Sequence, residues 1–150
     1  MINEKQLVAK IKAQRSVWLA VCCLQLFILC LPLSTAAQVS FPPINLNLNN
    51  PQYQRLKLDG GFVYISDGGM SGIILYRESE TNYIAYERRC SIDDDMPITV
   101  DGSGLFMKGC GSTFNFFDGY PTSGPVKQPL LKYRTTLSGT TVTITDEVVF

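Results

Sequence analysis

The sequence predicts an all-β domain, a sandwich or small barrel, in residues 38–150. Three observations support this. Short runs of β-branched and aromatic residues recur between Gly, Pro and Asp turn signals. No stretch after residue 37 carries apolar residues at helical spacing over ten or more positions. Near the end, Thr141, Thr143 and Thr145 alternate with Val142 and Ile144, the period-two pattern of a strand with one buried face.

The elements follow in order. Phe41-Pro42-Pro43 starts stiff, and Ile44 to Leu48 then alternates apolar with polar, which predicts one strand ended by Asn49-Asn50-Pro51. Phe62 to Ile65 lies between Asp59-Gly60-Gly61 and Asp67-Gly68-Gly69. Gly72 to Arg77 and Tyr83 to Arg88 flank a polar stretch from Glu78 to Asn82. Leu105 to Met107 and Phe114 to Phe117 come next, the latter closed by Asp118-Gly119. Leu131 to Leu137 and Thr140 to Thr145 complete the set, joined through Ser138-Gly139.

Residues 1–37 read as a secretory leader or a membrane-anchoring hydrophobic helix. Lys5, Lys10, Lys12 and Arg15 precede an apolar run from Val17 to Leu33, interrupted only by Gln25. Pro32 and then Ser34, Thr35, Ala36 and Ala37 follow, the order of an export signal with a small-residue cleavage site. Cleavage after Ala37 is the preferred outcome; a lipid anchor on Cys30 and a retained helix are the alternatives. Cys22, Cys23 and Cys30 read as small apolar residues of the leader. The expected location is therefore the periplasm, the outer envelope or the extracellular space, with membrane association only through the N-terminus.

Of the 13 Lys and Arg residues, four lie in the leader, which leaves 9; of the 13 Asp and Glu residues only Glu4 does, which leaves 12. Residues 38–150 thus carry a net charge of −3 and no basic run, which argues against nucleic-acid binding. The chain has no histidine, which excludes hydrolysis by Ser-His or Cys-His pairs. Asp93-Asp94-Asp95 reads as solvated turn charge rather than a cation site, because consecutive carboxylates do not all reach one ion. Phe114, Phe116, Phe117, Tyr120 and Tyr133 read as core and cross-strand aromatics.

One string is more specific. Lys108-Gly109-Cys110-Gly111-Ser112-Thr113-Phe114 is followed by Phe117-Asp118-Gly119, Gly124-Pro125-Val126, Pro129-Leu130 and Tyr133. This series resembles the second half of a Rieske iron–sulfur domain, where a Cys-x-x-His-Gly-Ser-x-Phe loop precedes a Gly turn, a Gly-Pro loop, a Pro-Leu pair and a Tyr. Cys90 falls where the first cluster loop, Cys-x-His, would sit. The resemblance spans about Val63 to Ile144. Val39 to Leu48 and Pro51-Gln52-Tyr53 are similar to segments of exported Rieske-like lipoproteins of Gram-negative bacteria. It implies a Rieske-type fold of antiparallel sheets, with a smaller cluster-binding-like subdomain from about Cys90 to Pro129.

A Rieske centre holds one iron by two Cys thiolates and the other by two His imidazoles. Carried over residue by residue, Cys90 matches the first Cys and Ile92 stands where the first His belongs. Met107 stands at the second Cys position and Cys110 at the second His position. Residues 38–150 contain two cysteines, so an all-thiolate cluster also falls short.

In the family the two ligand loops face each other. The resemblance therefore implies that Cys90 and Cys110 approach and, in an oxidising compartment, form a disulfide. Closing that loop stabilises the fold by about 3 kcal/mol on the chain-entropy argument. An exchangeable disulfide and a metal shared between two chains remain alternatives. Gly124-Pro125 would cover the Cys90–Cys110 region. The expected function is non-catalytic: an exported, degenerate Rieske-like domain without cofactor that presents a stable surface to an unidentified protein partner of the envelope. The competing expectations are [2Fe–2S] electron transfer, as the family implies, and thiol–disulfide exchange.

Overall fold

The computed structural model describes residues 40–92 and 96–149. The expected leader at 1–37, with Cys22, Cys23 and Cys30, and the Asp93-Asp94-Asp95 run lie outside the described residues. Among the described residues no helix is long and apolar enough to cross a membrane.

The chain is built from ten strands and one short 3-10 helix. In order they are β1 (Ile44–Asn47), the 3-10 helix Pro51–Lys57, β2 (Phe62–Ile65), β3 (Ile73–Arg77), β4 (Tyr83–Glu87), β5 (Thr99–Val100), β6 (Phe106–Gly109), β7 (Ser112–Asn115), β8 (Pro121–Ser123), β9 (Lys132–Ser138) and β10 (Thr141–Val149). All pairings are antiparallel. One sheet has six strands in the order β1-β10-β9-β4-β3-β2, the second has four in the order β5-β6-β7-β8, and the antiparallel sheets form a half-barrel. The second sheet is inserted between β4 and β9, which pair directly with each other through Ala85 and Tyr133.

The two faces of β3 and β4 explain their unbroken apolar sequence. Ile73, Leu75, Tyr83 and Ala85 point into one core with Leu46, Leu56, Tyr133, Val142 and Ile144. Ile74 and Tyr86 point the other way, into a second core with Ile98, Met107, Phe114, Phe116, Val126 and Leu130. A strand covered on both sides reads as a continuous hydrophobic run rather than an alternation. β10 is covered on one face only and keeps its alternation: Val142 and Ile144 are buried between threonines. A register shift between Ile144 and Val148 lets this nine-residue strand bend while staying paired with β9.

Side chains also brace one sheet against the other. The Tyr86 hydroxyl donates to the Phe116 carbonyl at 2.7 Å. The Val100 N–H donates to the Tyr64 hydroxyl at 2.8 Å, and the Arg88 guanidinium lies 4.5 Å from the Tyr64 ring centroid while its Nε donates to the Ile98 carbonyl. These contacts fix the chain as it passes from β4 into the second sheet.

Several boundaries differ from the sequence expectation. The 3-10 helix is an addition, capped by the Asn50 side chain accepting from the Gln52 N–H. β5 and β8 were not expected; two and three residues are too short to show a period. The strand expected at Phe114 to Phe117 instead runs over Ser112–Asn115, and Phe116 and Phe117 fall in the following turn. Phe114, Phe116 and Tyr133 are core aromatics as expected, but Tyr120 and Phe117, the latter 78% exposed, are surface residues.

Candidate functional site

The region around Cys90 and Cys110 is assembled from three loops. Cys90 follows β4, and its side chain is 1% exposed within the second core. Cys110 lies at the tip of the β6–β7 hairpin. Gly109 pairs with Ser112, so Cys110 and Gly111 are the whole turn. Their φ angles are 46° and 70°, both left-handed, as a two-residue type I′ turn requires. Cys110 is the only non-glycine residue with positive φ among the described residues.

Cys90 and Cys110 are joined by a disulfide, with their Cα atoms 6.4 Å apart and 20 positions apart in sequence. The bond ties the end of β4 to the far hairpin of the inserted sheet. The third loop closes over it. The Ser112 hydroxyl accepts from the Val126 N–H at 3.0 Å. Gly124 takes φ 98°, and a Cβ there would stand 2.4 Å from the Gly111 carbonyl oxygen and 2.4 Å from Ser112 Oγ. Pro125 lies beside Gly111, its Cδ 3.7 Å from where a Gly111 Cβ would be. The Gly124-Pro125 loop thus packs directly on the Cys110-Gly111-Ser112 turn, and only glycine permits so close an approach.

The other two positions compared with cluster ligands are occupied differently. Met107 lies on β6 opposite Phe114 and is fully buried in the same core as Cys90. Ile92 is 59% exposed, and its N–H approaches Cys90 Sγ at 3.5 Å. These residues do not fit a Rieske cluster. Both sulfurs are consumed in the disulfide, a thioether stands at one position, a hydrocarbon at another, and the chain holds no imidazole. Among the described residues no group of three or more His, Cys, Asp or Glu side chains converges in a way that could hold a metal ion.

Beside the disulfide is a cleft of about 230 Å³ bounded by Met70, Arg89, Cys90, Ser91, Pro129, Leu130 and Leu131, with Glu87 at its floor. Glu87 is buried, yet its carboxylate is well served. Oε2 accepts from the Met70 N–H at 2.7 Å and the Tyr133 hydroxyl at 2.7 Å. Oε1 accepts from the N–H groups of Ser71 at 3.1 Å and Arg89 at 2.8 Å. Four donors match the acceptor capacity of one carboxylate, so Glu87 acts as a clamp between the turn before β3, the Cys90 loop and β9. Burial, and then donation to Glu87, raise the Tyr133 phenol well above its ordinary pKa.

Sequence reasoning missed this clamp. Its only linear signal is a carboxylate closing an otherwise apolar strand, Tyr83 to Glu87. The outer margin of the cleft is apolar, with Met70 and Leu131 exposed beside it. No family model matches the chain, and no curated protein matches it.

Proposed function

We propose that this chain is an exported, degenerate Rieske-like domain that works without an iron–sulfur cluster, as a non-catalytic interaction module of the cell envelope. What carries this reading is the Cys90–Cys110 bond, which joins the end of β4 to the β6–β7 turn, the two places where the resemblance puts facing cluster loops. Two features support it. A small sheet is inserted in sequence between two strands of a larger one, as expected of a cluster-binding-like subdomain. The Gly124-Pro125 loop lies over the turn that carries Cys110. With its ligands replaced, the region keeps a covalent clamp where the family uses a metal centre. The apolar margin at Met70 and Leu131 then serves as contact surface for a protein partner.

The test is iron and acid-labile sulfide analysis, with intact mass, on protein produced from the full chain in an exporting bacterial host. The expected result is a colourless, iron-free protein, two hydrogens lighter than its reduced form and shortened by the leader. Stoichiometric iron and sulfide, or two free thiols in the folded protein, would overturn the proposal.

A second reading, thiol–disulfide exchange, is favoured by the position of Cys110, partly exposed on a tight turn. The reduction potential of the pair separates the two: a structural bond lies below about −300 mV, an exchangeable one above it.

A further inference from the structure

The two sulfurs of the Cys90–Cys110 bond stand in unlike surroundings. Cys90 is a member of the second core, sealed among Ile98, Met107, Phe114 and Val126. Cys110 packs against that core without being enclosed by it, and stays partly exposed at the hairpin tip even with the Gly124-Pro125 loop lying on the same turn.

Thiol–disulfide exchange depends on which sulfur is reached and on how well the other one leaves. A thiolate aimed at Cys90 has to displace packed core side chains and shed its own water, both costly. A thiolate aimed at Cys110 meets a two-residue turn with an exposed glycine beside it. Burial makes Cys90 a reluctant leaving group, since a charged sulfur is disfavoured in an apolar core. One donor is placed to receive that charge: the Ile92 N–H lies 3.5 Å from Cys90 Sγ.

We propose that Cys110 is the site at which a small thiol adds to this domain, and that Cys90 is the sulfur that leaves and later resolves the adduct. The thiolate of the small thiol attacks Cys110 Sγ and forms a mixed disulfide there. The bond to Cys90 breaks, its electron pair goes to Cys90 Sγ, and that thiolate takes a proton from water. The attacking sulfur is oxidised and the Cys90 sulfur reduced, so no further oxidant enters. The end of β4 holds Cys90 beside Cys110, Cα to Cα 6.4 Å in the bonded form, so Cys90 can attack the adduct at Cys110 and expel the small thiol. The proposal rests on the bond and not on its role: a structural bond opens slowly and an exchangeable one quickly, in both cases at Cys110.

The test uses oxidised protein from the full chain and glutathione as the small thiol. Samples are quenched in acid at intervals, digested with pepsin without reduction, and mapped by mass spectrometry. The glutathione adduct is expected on Cys110, with Cys90 as the free thiol, at a rate that rises in proportion to glutathione. An adduct on Cys90, or equal adducts on both, would overturn the proposal. So would a rate that levels off with glutathione, because the bond would then open only after unfolding. A second measurement compares the lone thiols of Cys90→Ala and Cys110→Ala with dithionitrobenzoate. In the folded proteins Cys110 should react at least about 100-fold faster than Cys90, a gap that closes in concentrated urea; equal rates in two variants shown to be folded by circular dichroism would also overturn it. Where a variant does not fold, the wild-type map decides alone. Two free thiols in the starting protein would remove this proposal together with the proposed function, whereas an adduct at the wrong sulfur removes this one alone.

Discussion

Removing the disulfide by Cys90→Ala with Cys110→Ala perturbs the domain where its two sheets are joined. The bond closes a loop of 20 positions. On the chain-entropy argument its loss frees the unfolded chain by about 3 kcal/mol at 25 °C. Cys90 also fills space among Ile98, Met107, Phe114 and Val126, so the missing sulfur adds a small cavity worth about 1 kcal/mol. Against a total stability of about 5–15 kcal/mol for a domain of this size, that is a large fraction. With about 4 °C per kcal/mol at this chain length, the crosslink alone corresponds to roughly 12 °C in Tm. The assay is thermal and urea unfolding of three species: oxidised protein, the same protein reduced by dithiothreitol, and the double variant. Reduction breaks the link without deleting atoms, so reduced protein and double variant should differ only by the cavity. Amide exchange should quicken most in residues 99–123, the sheet held by this bond, and least in β1 and β10. If reduced protein melts within about 2 °C of the oxidised form, the loop-entropy account is wrong.

Tyr133→Phe leaves Glu87 Oε2 with a single donor and should cost about 1–2 kcal/mol in urea unfolding, and Glu87→Gln, which sets an amide N–H₂ among donors, should cost more. Gly124→Ala places a Cβ against the Gly111 carbonyl and Ser112, so a loss of at least about 2 kcal/mol and faster reduction of the disulfide by dithiothreitol are expected. Tyr86 and Tyr133 both have phenol pKa values raised chiefly by burial. A raised folded-state pKa contributes stability that is complete below the unfolded value of 10.0 and is lost as pH rises toward the folded one. Urea midpoints should therefore hold steady up to about pH 9 and fall above about pH 10, with phenolate absorbance appearing together with unfolding. In the Cys90→Ala background, Cys110→Asn should be more stable to urea unfolding than Cys110→Ala by about 1 kcal/mol, because Asn tolerates the left-handed φ at this turn.

The strands that the sequence makes legible are those whose chemistry is local. β2 lies between two Asp-Gly-Gly turns, and β10 announces itself by the alternation of Thr with Val and Ile. The β7 error has a physical origin. Apolar density from Phe114 to Phe117 suggests a strand, but Phe116 reaches the core from a turn, where its carbonyl accepts from Tyr86. The nearness of Cys90 and Cys110 came from resemblance, since nothing in the sequence between two residues 20 positions apart states their distance. Glu87 was illegible because its donors come from residues 70, 71, 89 and 133 and meet only in the fold.

The energetics of the Cys110 turn connect local strain to the bond it carries. A side chain at φ 46° costs about 1–2 kcal/mol, which glycine or asparagine would largely avoid. Stability of the isolated hairpin would therefore favour another residue at position 110. The strain is outweighed only because the left-handed turn brings the thiol to Cys90, where the crosslink contributes about 3 kcal/mol. Ser112 and Gly124 add to the same end: one bonds the Val126 N–H, and the other brings the covering loop within contact of the turn. The inserted sheet joins the larger one through two chain crossings, so a clamp between β4 and the distant hairpin limits the opening that two crossings alone would allow. A metal centre imposes the same restraint by coordinating donors from both loops. A disulfide needs only one residue from each, so two cysteines suffice to impose it in a chain that contains no histidine.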